Sequence, residues 1–131
     1  MSSIKNLLQS ADWKAEKHVP AIEAQEKITK GQVFEITVTV GKQIAHPNTT
    51  EHHIAWVAVY FLPNGEKFPY QVAKIDFLSH GASVQGPNTS TIFSEPVVKV
   101  SLKTEKPGSI LACSYCNIHG LWESSKDIIV E

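Results

Sequence analysis

The sequence predicts an all-β protein, a β-sandwich of about seven short strands with one short helix at its N-terminus. Three observations carry that reading. Apolar residues recur at every second position through much of the chain, the spacing of half-buried strands. Clusters of Pro, Gly, Asn and Lys separate those stretches and supply turns. No long amphipathic helix pattern interrupts them. A sandwich is favoured over a closed barrel. At 131 residues the chain is expected to be a single domain spanning 1–131. A domain of this size buries roughly two-thirds of its unfolded surface, enough for a core without disulfide staples.

The elements follow in order. Ile4, Leu7 and Leu8 stand at helical spacing behind Ser2 and Ser3, so residues 3–9 are expected to form a short, serine-capped helix. Residues 20–28 are a weaker strand candidate. Phe34, Ile36, Val38 and Val40 alternate with Glu35, Thr37 and Thr39, which defines a half-buried strand. Residues 53–62 read as a strand buried on both faces, and Pro63-Asn64-Gly65-Glu66 turns the chain into an antiparallel partner at 67–78, edged by Pro69. Val98, Val100 and Leu102 alternate up to a turn at Lys106-Pro107-Gly108, and residues 109–115 and 124–130 complete the set.

Composition excludes several classes of function. The apolar fraction of 42% and charged fraction of 19% rule out disorder and collagen-like repeats. The longest apolar run, Ile54 to Leu62, has nine residues, where a membrane helix needs about twenty. The N-terminus lacks the pattern of a signal peptide, so a soluble cytoplasmic protein is expected. All twelve basic residues are lysine and the net charge is −1. Without arginine forks or a basic excess, nothing points to nucleic acid.

Six histidines and two cysteines in so short a chain point instead to a metal or redox site. Three stretches do not fit the strands, and each carries histidine: Glu16-Lys17-His18-Val19-Pro20, residues 41–52, and Cys116-Asn117-Ile118-His119-Gly120. Loops on a rigid β scaffold are where sites are built. Cys116 and His119 on one turn can converge on a single ion, with Gly120 easing the backbone. Cys113 and Cys116 lie an odd number of residues apart on a strand and face opposite sides, so Cys113 is assigned to the core. By the same alternation, at most one of His52 and His53 reaches a shared metal. One thiolate with several imidazoles suits zinc, copper or iron. A blue-copper electron carrier is the main rival, although its usual methionine is missing: Met1 is the only one. A zinc-stabilised binding domain is the other alternative.

Taken together, Glu16-Lys17-His18-Val19-Pro20, the run His46-Pro47-Asn48-Thr49-Thr50-Glu51-His52-His53 and Cys116-Asn117-Ile118-His119-Gly120 resemble the superoxide reductase family, and within it the one-iron neelaredoxin class. The likeness covers nearly the whole chain, including Gln85-Gly86-Pro87-Asn88-Thr89. It implies an immunoglobulin-like sandwich and a mononuclear non-haem iron with His18, His46, His52 and His119 as equatorial ligands and Cys116 as the axial thiolate. It further implies Glu16 as the sixth ligand of the oxidised resting state and Lys17 as the lysine at the open face, both placed among the catalytic residues. His53 and His80 match no ligand position. The implied reaction is one-electron reduction of superoxide to hydrogen peroxide. The implied partners are a rubredoxin-type electron donor and other copies of the chain in a homotetramer.

Overall fold

The computed structural model describes residues 2–131 as two facing β-sheets with a single turn of helix ahead of them. In chain order the elements are α1 (Ile4–Leu7), β1 (Pro20–Glu23), β2 (Lys27–Ile28), β3 (Val33–Val40), β4 (Ile54–Pro63), β5 (Tyr70–Asp76), β6 (Val97–Lys103), β7 (Gly108–Cys116) and β8 (Gly120–Val130). One sheet has the order β1-β3-β6 and the other β2-β8-β7-β4-β5. All pairings are antiparallel except β2 with β8. The result is an all-β, immunoglobulin-like sandwich.

The core is the sum of the inward-facing alternate positions. Phe34, Ile36, Val38 and Val40 of β3 face Val57, Val59 and Phe61 of β4, with Ile110 of β7 and Ile128 of β8, all buried. Each such side chain contributes about 1.5–3 kcal/mol by leaving water.

Several expectations are corrected. There are eight strands among the described residues, because residues 20–28 divide into β1 and β2, which join different sheets. The alternation lapses at Gln25 and Glu26, both exposed, where the chain crosses between sheets. β8 starts at Gly120 and not at 124, since Cys116 pairs directly with Gly120 across a tight hairpin. β4 is not buried on both faces: Trp56 and Tyr60 are half-exposed on the outer one. Helix α1 is shorter than expected, and Ser3 occupies its N-cap without a side-chain hydrogen bond. Cys113 is not a core residue. The alternation of β7 buries Gly108, Ile110, Ala112, Ser114 and Cys116 and turns Cys113 outward, half-buried, opposite Glu123.

The pairings also place the ends that matter for function. Pro20 opposes Val40, Ile54 opposes Cys116, and Cys116 opposes Gly120. The start of β1, the end of β3, the start of β4 and the β7–β8 hairpin therefore share one end of the sandwich. The three histidine-bearing stretches are the segments that leave or enter those strand ends.

Candidate metal centre

His18 lies two residues before β1 and is 5% exposed. Its carbonyl accepts a hydrogen bond from Ser114 Oγ of β7 at 3.0 Å, and the Pro20 carbonyl accepts one from Ser124 Oγ of β8. These contacts fasten the edge of the smaller sheet across the larger one and hold the His18 backbone. His46 and His52 come from the irregular loop between β3 and β4. Cys116 ends β7, fully buried, and His119 follows in the hairpin turn. Gly120 closes that turn at φ +83°, a left-handed conformation that strains any side-chain-bearing residue.

The four imidazoles of His18, His46, His52 and His119 form a closed ring. Neighbouring centroids are 4.8 Å apart for His18–His46, 4.8 Å for His46–His52, 5.1 Å for His52–His119 and 4.8 Å for His119–His18. Each ring is inclined to the next by 58° to 83°. The thiol of Cys116 belongs to the same cluster, with Sγ 3.5 Å from His46 Nε2 and 3.9 Å from His119 Nδ1. The donor atoms of His18, His52, Cys116 and His119 all lie within 4.8 Å of one another. The cluster is buried at His18 and Cys116 and exposed at His119, so it opens to solvent on one side.

Hydrogen bonds fix which nitrogen of His18 and of His46 faces the cluster. His18 Nδ1 donates to Glu16 Oε1 at 2.6 Å, which turns Nε2 toward the cluster, 3.2 Å from His119 Nδ1. His46 Nδ1 donates to the Pro47 carbonyl at 2.6 Å, which frees its Nε2. His119 presents Nδ1. His52 Nε2 is buried and has no hydrogen-bond partner. An orphaned buried nitrogen costs about 1–3 kcal/mol unless something satisfies it, and a cation among these lone pairs does so. Burial, opposed in part by the Pro47 carbonyl, lowers the His46 pKa to about 4. Burial and the neighbouring imidazoles lower that of His52 as well. Both rings are therefore neutral at pH 7, the form a metal requires. The backbone N–H of His119 donates to Cys116 Sγ at 3.3 Å, a contact suited to a thiolate.

Glu16 lies behind His18, with its carboxylate on Nδ1 and not among the donor atoms. Its pKa sits below the ordinary value: burial raises it, but the hydrogen bonds and charge of His18 outweigh that. Lys17 is half-buried, and its charge reaches both His46 and His52, adding to the depression of their pKa values. His53 points out of the cluster and stacks on His80, centroids 3.5 Å apart and planes at 3°.

Sequence reasoning did not assign Trp122 or Gln9. Trp122 stacks on His18 at 4.9 Å, and its indole N–H donates to the His119 carbonyl at 3.2 Å. Gln9 Nε2 donates to the same carbonyl at 3.1 Å. Only the position of Trp122 three residues beyond His119 hinted at such a role.

Five convergent donors, four of them imidazoles around a single thiolate, exceed what a tetrahedral structural zinc site uses. The class defined is a mononuclear N/S metal-binding protein on an all-β sandwich, with the site open to solvent at His119. Within that class, the chain belongs to the desulfoferrodoxin family, whose model matches residues 10–125, and there to the one-iron superoxide reductases. It is 54% identical over 121 residues to the superoxide reductase of Pyrococcus furiosus, covering 92% of this chain and 95% of that protein. It is 49% identical over 126 residues to the neelaredoxin of Megalodesulfovibrio gigas, covering 96% and 97%. A crystal structure of a Thermotoga maritima homologue, 51% identical, matches with a TM-score of 0.97 over 100% of this chain and 99% of that one. Reduced Archaeoglobus fulgidus superoxide reductase (neelaredoxin), 54% identical, gives 0.87 over 94% and 98%.

Proposed function

We propose that the protein reduces superoxide by one electron to hydrogen peroxide at a mononuclear non-haem iron. His18, His46 and His52 hold it through Nε2, His119 through Nδ1, and Cys116 through its thiolate. The closed ring of four imidazoles about one thiol carries this reading. Iron held there would supply the single electron, and the Cys116 thiolate would make it a better donor by lending electron density.

The chain's own residues do the rest. The Glu16 carboxylate fixes the His18 tautomer, and the Trp122 ring covers one face of His18 against water. Lys17 attracts the substrate anion at short range, which the net charge of −1 cannot do for the whole molecule. Two protons complete the product, and Lys17 orients a water to deliver one. To serve as sixth ligand of the oxidised resting state, Glu16 would have to leave His18 Nδ1 and turn to the open face. A rubredoxin-type protein returns the electron, and the protein works as a cytoplasmic homotetramer. Residues 1–131 act as a single superoxide reductase-like iron-binding domain.

Low-temperature EPR of the iron-loaded, oxidised protein tests the site. A high-spin ferric signal is the expected result. A copper signal with hyperfine splitting from the purified protein, or silence with stoichiometric zinc, would overturn it.

A further inference from the structure

The loop supplying His46 and His52 has no helix or strand between β3 and β4, yet it must hold two rings in place. A ligand loop without regular structure loses affinity to the entropy of its own ordering. Its order comes from the segment between β5 and β6 and from the β7–β8 hairpin.

Asn88 is the central contact. It has a left-handed backbone, φ 57°, the sole non-glycine residue with positive φ among those described. Asparagine tolerates that conformation better than most residues. Its Oδ1 accepts from the Thr50 N–H at 2.9 Å, and its Nδ2 donates to both carboxylate oxygens of Glu51 at 2.9 and 2.8 Å. Its own N–H donates to Thr50 Oγ1 at 3.1 Å, and that hydroxyl donates onward to the His80 carbonyl at 3.0 Å. One residue thus grips both positions immediately before His52.

Two further residues complete the hold. His80 stacks on His53, and its Nδ1 lies 2.8 Å from Asn48 Oδ1, while Asn48 Nδ2 donates to the Ser94 carbonyl. Asn117 donates from Nδ2 to the Glu51 carbonyl and accepts from the His53 N–H at Oδ1, both at 2.9 Å. The backbone is held on both sides of His52 and tied to the loop that carries Cys116 and His119.

We propose that Asn88, assisted by His80 and Asn117, is a positioning residue that presets the His46–His52 loop for the metal. The proposal rests on the reading of His46 and His52 as ligands. Outer partners of metal ligands typically govern affinity by roughly 10- to 100-fold.

The test uses the iron-loaded protein with ferrozine as chelator, comparing wild type with Asn88→Asp and Asn88→Gly. Asp keeps the shape but sets a second carboxylate against Glu51; Gly keeps the backbone but deletes the side chain. Both are expected to speed iron release about 10-fold or more. The ferric EPR line shape should shift, while the metal-free melting temperature changes little. Release within about twofold of wild type with an unchanged EPR spectrum would overturn the proposal. So would a metal-free protein destabilised as much as the loaded one, since Asn88 would then serve the fold and not the site. His52→Ala is run alongside. If it leaves iron release unaltered, the ligand reading itself has failed, a result distinct from failure of the Asn88 variants alone.

Discussion

Glu16 and Trp122 act on one ring from two directions, at the edge and at the face of His18. Removing the acceptor with Glu16→Ala should weaken metal binding by roughly 10- to 100-fold in chelator competition, whereas Glu16→Gln, which keeps an acceptor oxygen, should lose less. The two cysteines separate cleanly. Cys116→Ser should abolish the thiolate-to-metal absorption band, and Cys113→Ser should leave it intact. Burial first, and then the Glu123 charge across the strand pair, push the Cys113 thiol above its ordinary pKa. The thiolate is the nucleophile. Alkylation of Cys113 in the loaded protein should therefore be slow at pH 8, rise as the pH climbs past 9, and quicken in Glu123→Gln. Alkylation at the rate of free cysteine at pH 8 would contradict that environment. At this scale much was legible. His52 and His53 were expected to face apart and they do, although both precede β4 and the divergence is set by the loop, where His53 stacks on His80. Trp122 was not legible, because its partner His18 is remote in sequence and meets it only once the two sheets pack.

The strands with clear period-two alternation, β3, β6 and β7, lie close to where the pattern puts them, because one wet and one dry face impose that period. β2 escaped notice because two residues in a parallel edge pairing have no period to read. Cys113 was misassigned for a related reason. Odd spacing says that the two cysteines face apart, but not which of them faces the core. The β4–β7 pairing that seats Cys116 begins at Gly108, where any Cβ would lie 2.2 Å from the Leu62 carbonyl oxygen. Neither backbone can yield without losing ladder hydrogen bonds. Gly108→Ala should therefore destabilise the fold by about 1–3 kcal/mol in denaturant titration, and a change under about 0.5 kcal/mol would show that the strand end relaxes freely.

For the molecule as a whole, a slightly negative chain must attract an anion, so the attraction has to be local. Lys17→Ala should slow the reaction with superoxide, most at low ionic strength, and flatten its salt dependence while the iron spectrum stays unchanged. An unaltered rate at low salt would remove Lys17 from the steering role. The five ligand candidates come from three separated stretches, and only the sandwich end unites them. Their motifs were readable one by one, but their closed-ring arrangement, and the part of Asn88 in holding it, required the fold. Mixing the ferrous protein with superoxide in stopped flow and counting products decides whether the site reduces superoxide. One iron oxidised and one hydrogen peroxide formed per superoxide consumed, with no dioxygen released, is the expected result. Iron left ferrous while dioxygen and peroxide appear in equal amounts would make the protein a dismutase, and no reaction at all would rule out superoxide as its substrate.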